Sequence, residues 1–67
     1  MIYILLDEER NIVYTSYSKG KVLQWLENNK YSILYIEETD WDKIWSIRGK
    51  KEDGLPCKFT LEIHQLD

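Results

Sequence analysis

Apolar residues between Ser18 and Asn29 follow a helical repeat and predict an amphipathic helix over this segment. Members of the apolar stripe recur at i, i+3 and i+4, which places them on one face of a helix with 3.6 residues per turn. The stripe consists of Val22, Leu23, Trp25 and Leu26. Ser18 is suited to the N-cap because its hydroxyl can accept from a free backbone N–H. Asn29 is suited to the end of the helix because Asn tolerates the left-handed conformation.

The segments on either side of this helix have the composition of β-strands. Residues 1–6 (MIYILL) and 31–38 (YSILYIEE) are apolar on both faces, which is typical of central strands. If these two segments paired, the hairpin, helix and strand would form a compact α+β unit. Residues 12–17 (IVYTSY) are rich in β-branched and aromatic residues and predict a further strand. The polar break between the first two strands predicts a tight hairpin with a positive φ at Asn11.

Residues 39–49 fit two secondary structures. Four residues there have the i, i+3, i+4, i+7 spacing of one helix face: Trp41, Ile44, Trp45 and Arg48. Gly49 would end that helix. The alternative is a strand over 44–51, joined through Asp53-Gly54 to a final strand over 57–65. The strand is the preferred interpretation because the final segment needs an antiparallel neighbour, and a second helix over 40–48 is the alternative.

The final segment alternates between apolar and polar residues. Phe59, Leu61 and Ile63 are predicted to face the core, and His64 to face solvent. Cys57 and His64 are separated by an odd number of residues, so they point to opposite faces of one strand. The whole pattern predicts a single small α+β domain over residues 1–67, with order ββαβββ and a mostly antiparallel sheet with one helix packed on one face.

Composition limits the class of protein. The chain has 67 residues, a formal net charge of −3, a pI near 5.0 and one cysteine, so no intramolecular disulfide is expected. We predict no signal peptide and no membrane partner, and a reducing, cytoplasmic location. Alanine is absent, and Ile, Lys, Tyr and Asn make up about a third of the chain. This bias fits an AT-rich genome, such as that of a phage or another mobile element.

Candidate chemistry is sparse in this sequence. Cys57 and His64 are the nitrogen and sulfur ligands available, whereas a structural zinc needs about four such groups. Because Cys57 and His64 point to opposite faces of one strand, they cannot act together as a nucleophile and its base. We therefore expect no enzymatic activity, no metal site and no cofactor.

Four acidic residues surround a tryptophan at the corner after the third strand, and they are the preferred partner-binding site. The cluster consists of Glu37, Glu38, Asp40, Trp41 and Asp42. An aromatic anchor with an acidic rim resembles a binding hot spot that charge can steer towards a basic partner. A solvated acidic turn, with Trp41 folded onto the core, is the structural alternative. The sequence thus predicts a small interaction protein that modulates or inhibits a host protein, including one that binds nucleic acid.

Two further functions remain open from the sequence. Arg48, Lys50 and Lys51 form a basic hairpin that could contact a nucleic acid, although the negative net charge of the chain disfavours this function. The surplus of aromatic residues also allows a homodimeric accessory protein that pairs through a sheet edge.

Overall fold

The computed structural model describes residues 1–40 and 43–65 of the chain, and the side chain of Asp40 is not described. Six elements follow one another along it: β1 Ile2–Leu6, β2 Ile12–Ser16, α1 Lys19–Asn28, β3 Ser32–Asp40, β4 Ile44–Lys50 and β5 Pro56–His64. This order confirms the predicted ββαβββ arrangement and a small α+β domain. No helix in the described parts of the chain is long and apolar enough to cross a membrane.

The strands form one antiparallel sheet in the order β2-β1-β5-β4-β3. Helix α1 therefore connects the two opposite edges of this sheet. Residues 1–6 and 31–38 do not pair, because β1 lies between β2 and β5. The prediction that 31–38 is a central strand is also wrong, because β3 is an edge strand bonded to β4. Apolar residues on both faces indicate a strand but do not determine its neighbours.

The hydrophobic core lies between α1 and one face of the sheet. Val22 and Leu26 of the helix are fully buried, as the helical periodicity predicts. They pack against buried residues of the inner strands: Leu5, Ile47, Cys57, Phe59 and Leu61. Burial of each large aliphatic side chain contributes about 1.5–3 kcal/mol, so a domain this small depends on every one of them.

Aromatic side chains continue the core towards the C-terminal end of α1. Trp25 stacks on Tyr14 of β2 at a centroid distance of 5.6 Å and on Tyr31 at 6.4 Å. The ring of Tyr31 in turn meets the ring of Phe59 edge-on at 5.0 Å. This row links β2, the helix and β5, and each such pair adds about 0.5–1.5 kcal/mol beyond the area that it buries.

The ends of α1 differ in detail from the sequence-based prediction. Ser18 occupies the N-cap, but its hydroxyl makes no capping hydrogen bond, and its backbone N–H donates to Ser16 Oγ at 3.1 Å. At the other end, the left-handed residue is Lys30 (φ 69°) rather than Asn29 (φ −96°). The Asn29 side chain instead donates to the Trp25 carbonyl oxygen at 2.7 Å. The same oxygen accepts from the Asn29 backbone N–H at 3.0 Å, so the side chain adds a second hydrogen bond to the last turn.

The β1–β2 and β4–β5 hairpins show one correction and one confirmation. Between β1 and β2 the positive φ belongs to Arg10 (66°) and not to Asn11, because the Asp7 carboxylate accepts from the Asn11 backbone N–H at 2.9 Å and fixes the turn one residue earlier. Between β4 and β5 the predicted turn is confirmed, with Gly54 at φ 87°. The strand interpretation of 44–51 is confirmed by β4, and the alternative helix over 40–48 is wrong.

Candidate functional site

The sheet has two chemically different faces, which its register defines. Directly paired residues of antiparallel strands point to the same side. The helix covers the face that carries Cys57, Phe59 and Leu61. The other face, which we call the open face, carries alternate residues of β5 with their cross-strand partners: Lys58, Thr60, Glu62 and His64.

The acidic residues predicted to bind a partner lie on the second half of β3. Glu37 is exposed and paired with Ser46, so it belongs to the open face. Glu38 is exposed and paired with Trp45, on the side of the helix. Asp40 is the last residue of β3 and pairs with Ile44. The structure therefore brings three of the acids onto one strand but divides them between two faces; Trp41 and Asp42 lie outside the described residues.

The same strand exposes three consecutive apolar side chains at the edge of the sheet. Leu34 is 58% exposed, Tyr35 52% and Ile36 38%, and the register with β4 shifts between Ile33 and Tyr35. These three residues together with Glu37 and Glu38 are called the β3 edge below. The sequence did not reveal this edge because apolar residues on both faces were interpreted as burial on both faces.

The three basic residues predicted for nucleic-acid binding do not share one surface. Arg48 and Lys50 are exposed on β4 and point to the open face. Lys51 follows the strand and lies near Asn29 and Tyr31 at the end of the helix, so it belongs to the side that the helix covers. It lines a shallow depression of about 460 Å³ with Tyr31 and other residues of the helix end. The register adds a residue that the sequence did not indicate, because Lys58 of β5 lies directly opposite Arg48.

An ionic network occupies the centre of the open face. The Glu62 carboxylate accepts from Arg10 Nη2 at 2.9 Å and lies 3.0 Å from His64 Nε2. The hydrogen bond with His64 is the largest cause that lowers the pKa of Glu62; burial opposes it, and Arg10 acts in the same direction as His64. This network neutralises an acid that is only 21% exposed. It accounts for Glu62, Arg10 and His64 without any substrate.

Cys57 and His64 are confirmed on opposite faces of β5. Cys57 is buried next to Gly49, and burial is the main cause that raises the pKa of its thiol. His64 pairs with Ile2 at the other end of the strand. A raised thiol pKa disfavours the nucleophilic thiolate, and His64 lies on the opposite face of the sheet, where it cannot act as the base for this thiol.

Lys19 at the start of α1 also has a structural partner. Its ammonium group lies 3.8 Å from the centroid of the Trp45 ring, a cation–π contact that joins the helix to β4. The contact accounts for a lysine at a helix N-terminus, where the macrodipole alone would disfavour it.

The fold and these surfaces define a small α+β protein in which one helix crosses a five-stranded antiparallel sheet. No protein-family model matches the chain, and neither a curated protein nor a solved structure is significantly similar to it. Function is therefore inferred from the surfaces themselves.

Proposed function

We propose that this protein is a non-enzymatic interaction protein whose β3 edge receives an extended segment of another protein. The partner segment adds a strand beside β3, places apolar side chains against Leu34 and Ile36, and places basic side chains beside Glu37 and Glu38. The protein acts in a reducing cytoplasm. A host protein that it modulates, and an origin in a phage or another mobile element, belong to the same proposal.

The exposed apolar run on an edge strand is the observation that supports this function. An edge strand presents backbone N–H and C=O groups on its outer side, and natural proteins usually protect such edges with charge, proline or short length. The β3 strand is nine residues long, and three apolar residues in succession are more than a third exposed. Strand addition would bury those side chains and pair the free backbone groups.

Charge favours a basic partner over a second copy of the chain. The sequence of β3, SILYIEETD, contains three acids and no lysine or arginine. A second β3 strand would therefore bring no cation to the acidic half, and the net charge of −3 adds a weak repulsion between copies. A partner strand with lysine or arginine after its apolar residues satisfies both halves of the edge.

A binding experiment with synthetic peptides tests this proposal. The probe is a fluorescent eight-residue peptide with alternating β-branched residues followed by two lysines, and its anisotropy is measured during titration with the protein. The double substitution Glu37→Gln, Glu38→Gln should weaken binding by about 2- to 30-fold, which corresponds to two exposed ion pairs of about 0.2–1 kcal/mol each. Ile36→Lys should abolish binding, because it places a charge on the apolar part of the edge.

Controls separate strand addition from general charge attraction. The pair Glu8→Gln, Glu9→Gln removes the same charge from the exposed β1–β2 turn and should leave binding unchanged. A peptide with glutamates in place of the lysines should bind more weakly than the probe. Equal binding of the two peptides, or an equal effect of the two acid pairs, would refute the proposal.

Homodimerisation through the same edge is the second candidate, and the exposure of Leu34, Tyr35 and Ile36 favours it. Sedimentation at micromolar concentration distinguishes it from the first. If the protein is a dimer and Ile36→Lys dissociates it, the occupant of the β3 edge is a second copy of the chain and not another protein. A monomer is the result expected for the primary proposal.

A further inference from the structure

We infer that the open face carries a binding site for single-stranded nucleic acid, centred on the cross-strand pair of Arg48 and Lys58. The site shares Tyr35 with the β3 edge but does not include Glu37 or Glu38, and its argument does not depend on the proposed function. Its residues come from three neighbouring strands and are Tyr35, Arg48, Lys50 and Lys58.

The sheet register places these residues in one continuous patch. Tyr35 pairs with Arg48, and Arg48 pairs with Lys58, so the three form a row across β3, β4 and β5. Adjacent members of such a row have Cβ atoms about 4.5–5.5 Å apart. Lys50 lies two residues beyond Arg48 on β4 and therefore points to the same face. All four residues are exposed.

Two cations placed directly opposite each other need an explanation, because like charges in this position destabilise a sheet. Within the described part of the chain, no carboxylate forms an ion pair with Arg48, Lys50 or Lys58. Two cations elsewhere do have partners, since Arg10 binds Glu62 and Lys19 lies over Trp45. The patch thus holds uncompensated positive charge on a protein that is acidic in total, and phosphate groups would compensate it.

The distribution of acids on the open face orients the ligand. The Glu62 charge is already balanced by its contacts with Arg10 and His64. Glu37 lies one row away, opposite Ser46, and would repel a phosphate on that side. The backbone of a bound strand would therefore follow Arg48, Lys58 and Lys50, on the side of the patch away from Glu37.

An exposed aromatic ring in the same row favours single strands over a duplex or an acidic peptide. Tyr35 is 52% exposed and adjacent to Arg48, so its ring is available to stack on a base while the guanidinium binds a phosphate. Bases of a duplex are already stacked on each other and offer no free face. An acidic peptide would satisfy the cations but would gain nothing from the ring.

Fluorescence anisotropy of a labelled eight-nucleotide oligothymidylate tests this inference. Three phosphate contacts on a single strand predict a slope of about −2 for log K against log salt concentration. Affinity should therefore fall roughly 20-fold between 50 and 200 mM NaCl. Absence of binding at 50 mM NaCl would overturn the inference, and so would binding that does not depend on salt.

Charge reversals with a matched control locate the site. Arg48→Glu and Lys58→Glu should each weaken binding at least about 10-fold and make the salt slope shallower by about one. Each variant creates an opposite-charge pair in the sheet, so the fold should be retained, which circular dichroism checks. Lys21→Glu changes the net charge equally on the exposed side of α1 and should have little effect. An equal loss of affinity in all three variants would overturn the assignment of the site to the open face.

A final pair of measurements tests the role of the ring. Tyr35→Leu retains apolar area but removes stacking, and it should weaken oligothymidylate binding roughly 5- to 150-fold. A duplex of the same length and a polyglutamate peptide should both bind more weakly than the single strand. Binding of either one as tightly as the oligonucleotide, or no effect of Tyr35→Leu, would overturn the assignment to single-stranded nucleic acid.

Discussion

Replacing Gly49 with alanine should destabilise the junction between β3 and β4. Gly49 is buried on β4 and pairs with Ile33 of the edge strand. A Cβ atom built at this position would overlap the Ser32 carbonyl oxygen and would lie 3.1 Å from the Ser32 carbonyl carbon and 3.4 Å from Ile33 Cα. These contacts are with backbone atoms, so no flexible side chain can move aside, and the start of β3 must shift away from β4.

The magnitude follows from two opposing terms. Overpacking of a close contact costs about 1–3 kcal/mol. Alanine in place of glycine recovers about 0.5–1 kcal/mol, because the unfolded chain loses conformational freedom. The midpoints of these two ranges leave a net loss of about 1.3 kcal/mol, which lowers Tm by roughly 5–10 °C in a domain of this size.

Thermal and urea unfolding followed by tryptophan fluorescence measure this effect. Gly20→Ala is the matched control, because a Cβ there would meet only Ser18 Oγ, at 3.7 Å, and the position is exposed in the first turn of α1. The control should raise the free energy of unfolding by about 0.5–1 kcal/mol. If Gly49→Ala were as stable as Gly20→Ala, the close approach of β3 to β4 at this point would be wrong.

Two other predictions concern titratable groups. Because the folded-state pKa of Glu62 lies below its ordinary value of 4.5, ionised Glu62 stabilises the fold above that pH, and the contribution is lost as the pH falls through the lowered value. In urea unfolding at about pH 7, the wild-type protein should therefore be more stable than Glu62→Gln, and this difference should shrink as the pH falls below 4.5. A difference that does not depend on pH would contradict the ionic network. Buried Cys57, with its raised thiol pKa, should react with a thiol reagent at least about 10-fold more slowly in the folded protein than in denaturant, and equal rates would show that the thiol is accessible.

Local patterns in the sequence were sufficient to predict most of the elements. The stripe from Val22 to Leu26 identifies the helix and its buried face, and the alternation around Phe59 and Leu61 identifies the last strand and its core side. The turn at Gly54 follows from an Asp-Gly pair. Positions of single turn residues were less predictable, since Arg10 and Lys30 adopt the positive φ expected for the neighbouring Asn residues. In each turn a side-chain hydrogen bond, at Asp7 in the first and at Asn29 in the second, accompanies a shift of the positive φ by one residue.

Candidate sites were predictable only in part. The acids Glu37, Glu38 and Asp40 are consecutive enough in sequence to be recognised as a cluster, but their division between two faces depends on pairing with β4. The basic residues of the open face differ from those predicted, because Lys51 lies on the side of the helix and Lys58 lies opposite Arg48 on the open face. Contacts between strands far apart in sequence leave no periodic signal in either strand.

Taken alone, the amino-acid sequence determined the helix and four of the described strands, because strand and helix periodicity depends on residues a few positions apart along the chain. It favoured a strand over 44–51 because the last strand needs an antiparallel neighbour. Only the tertiary structure decided the strand order, which puts β3 at an edge and β5 at the centre. That choice depends on how the helix spans the sheet and on which backbone groups find partners across it, and these are non-local free energies. The strand order produces both the exposed apolar edge on β3 and the cross-strand neighbours Arg48 and Lys58 on the open face.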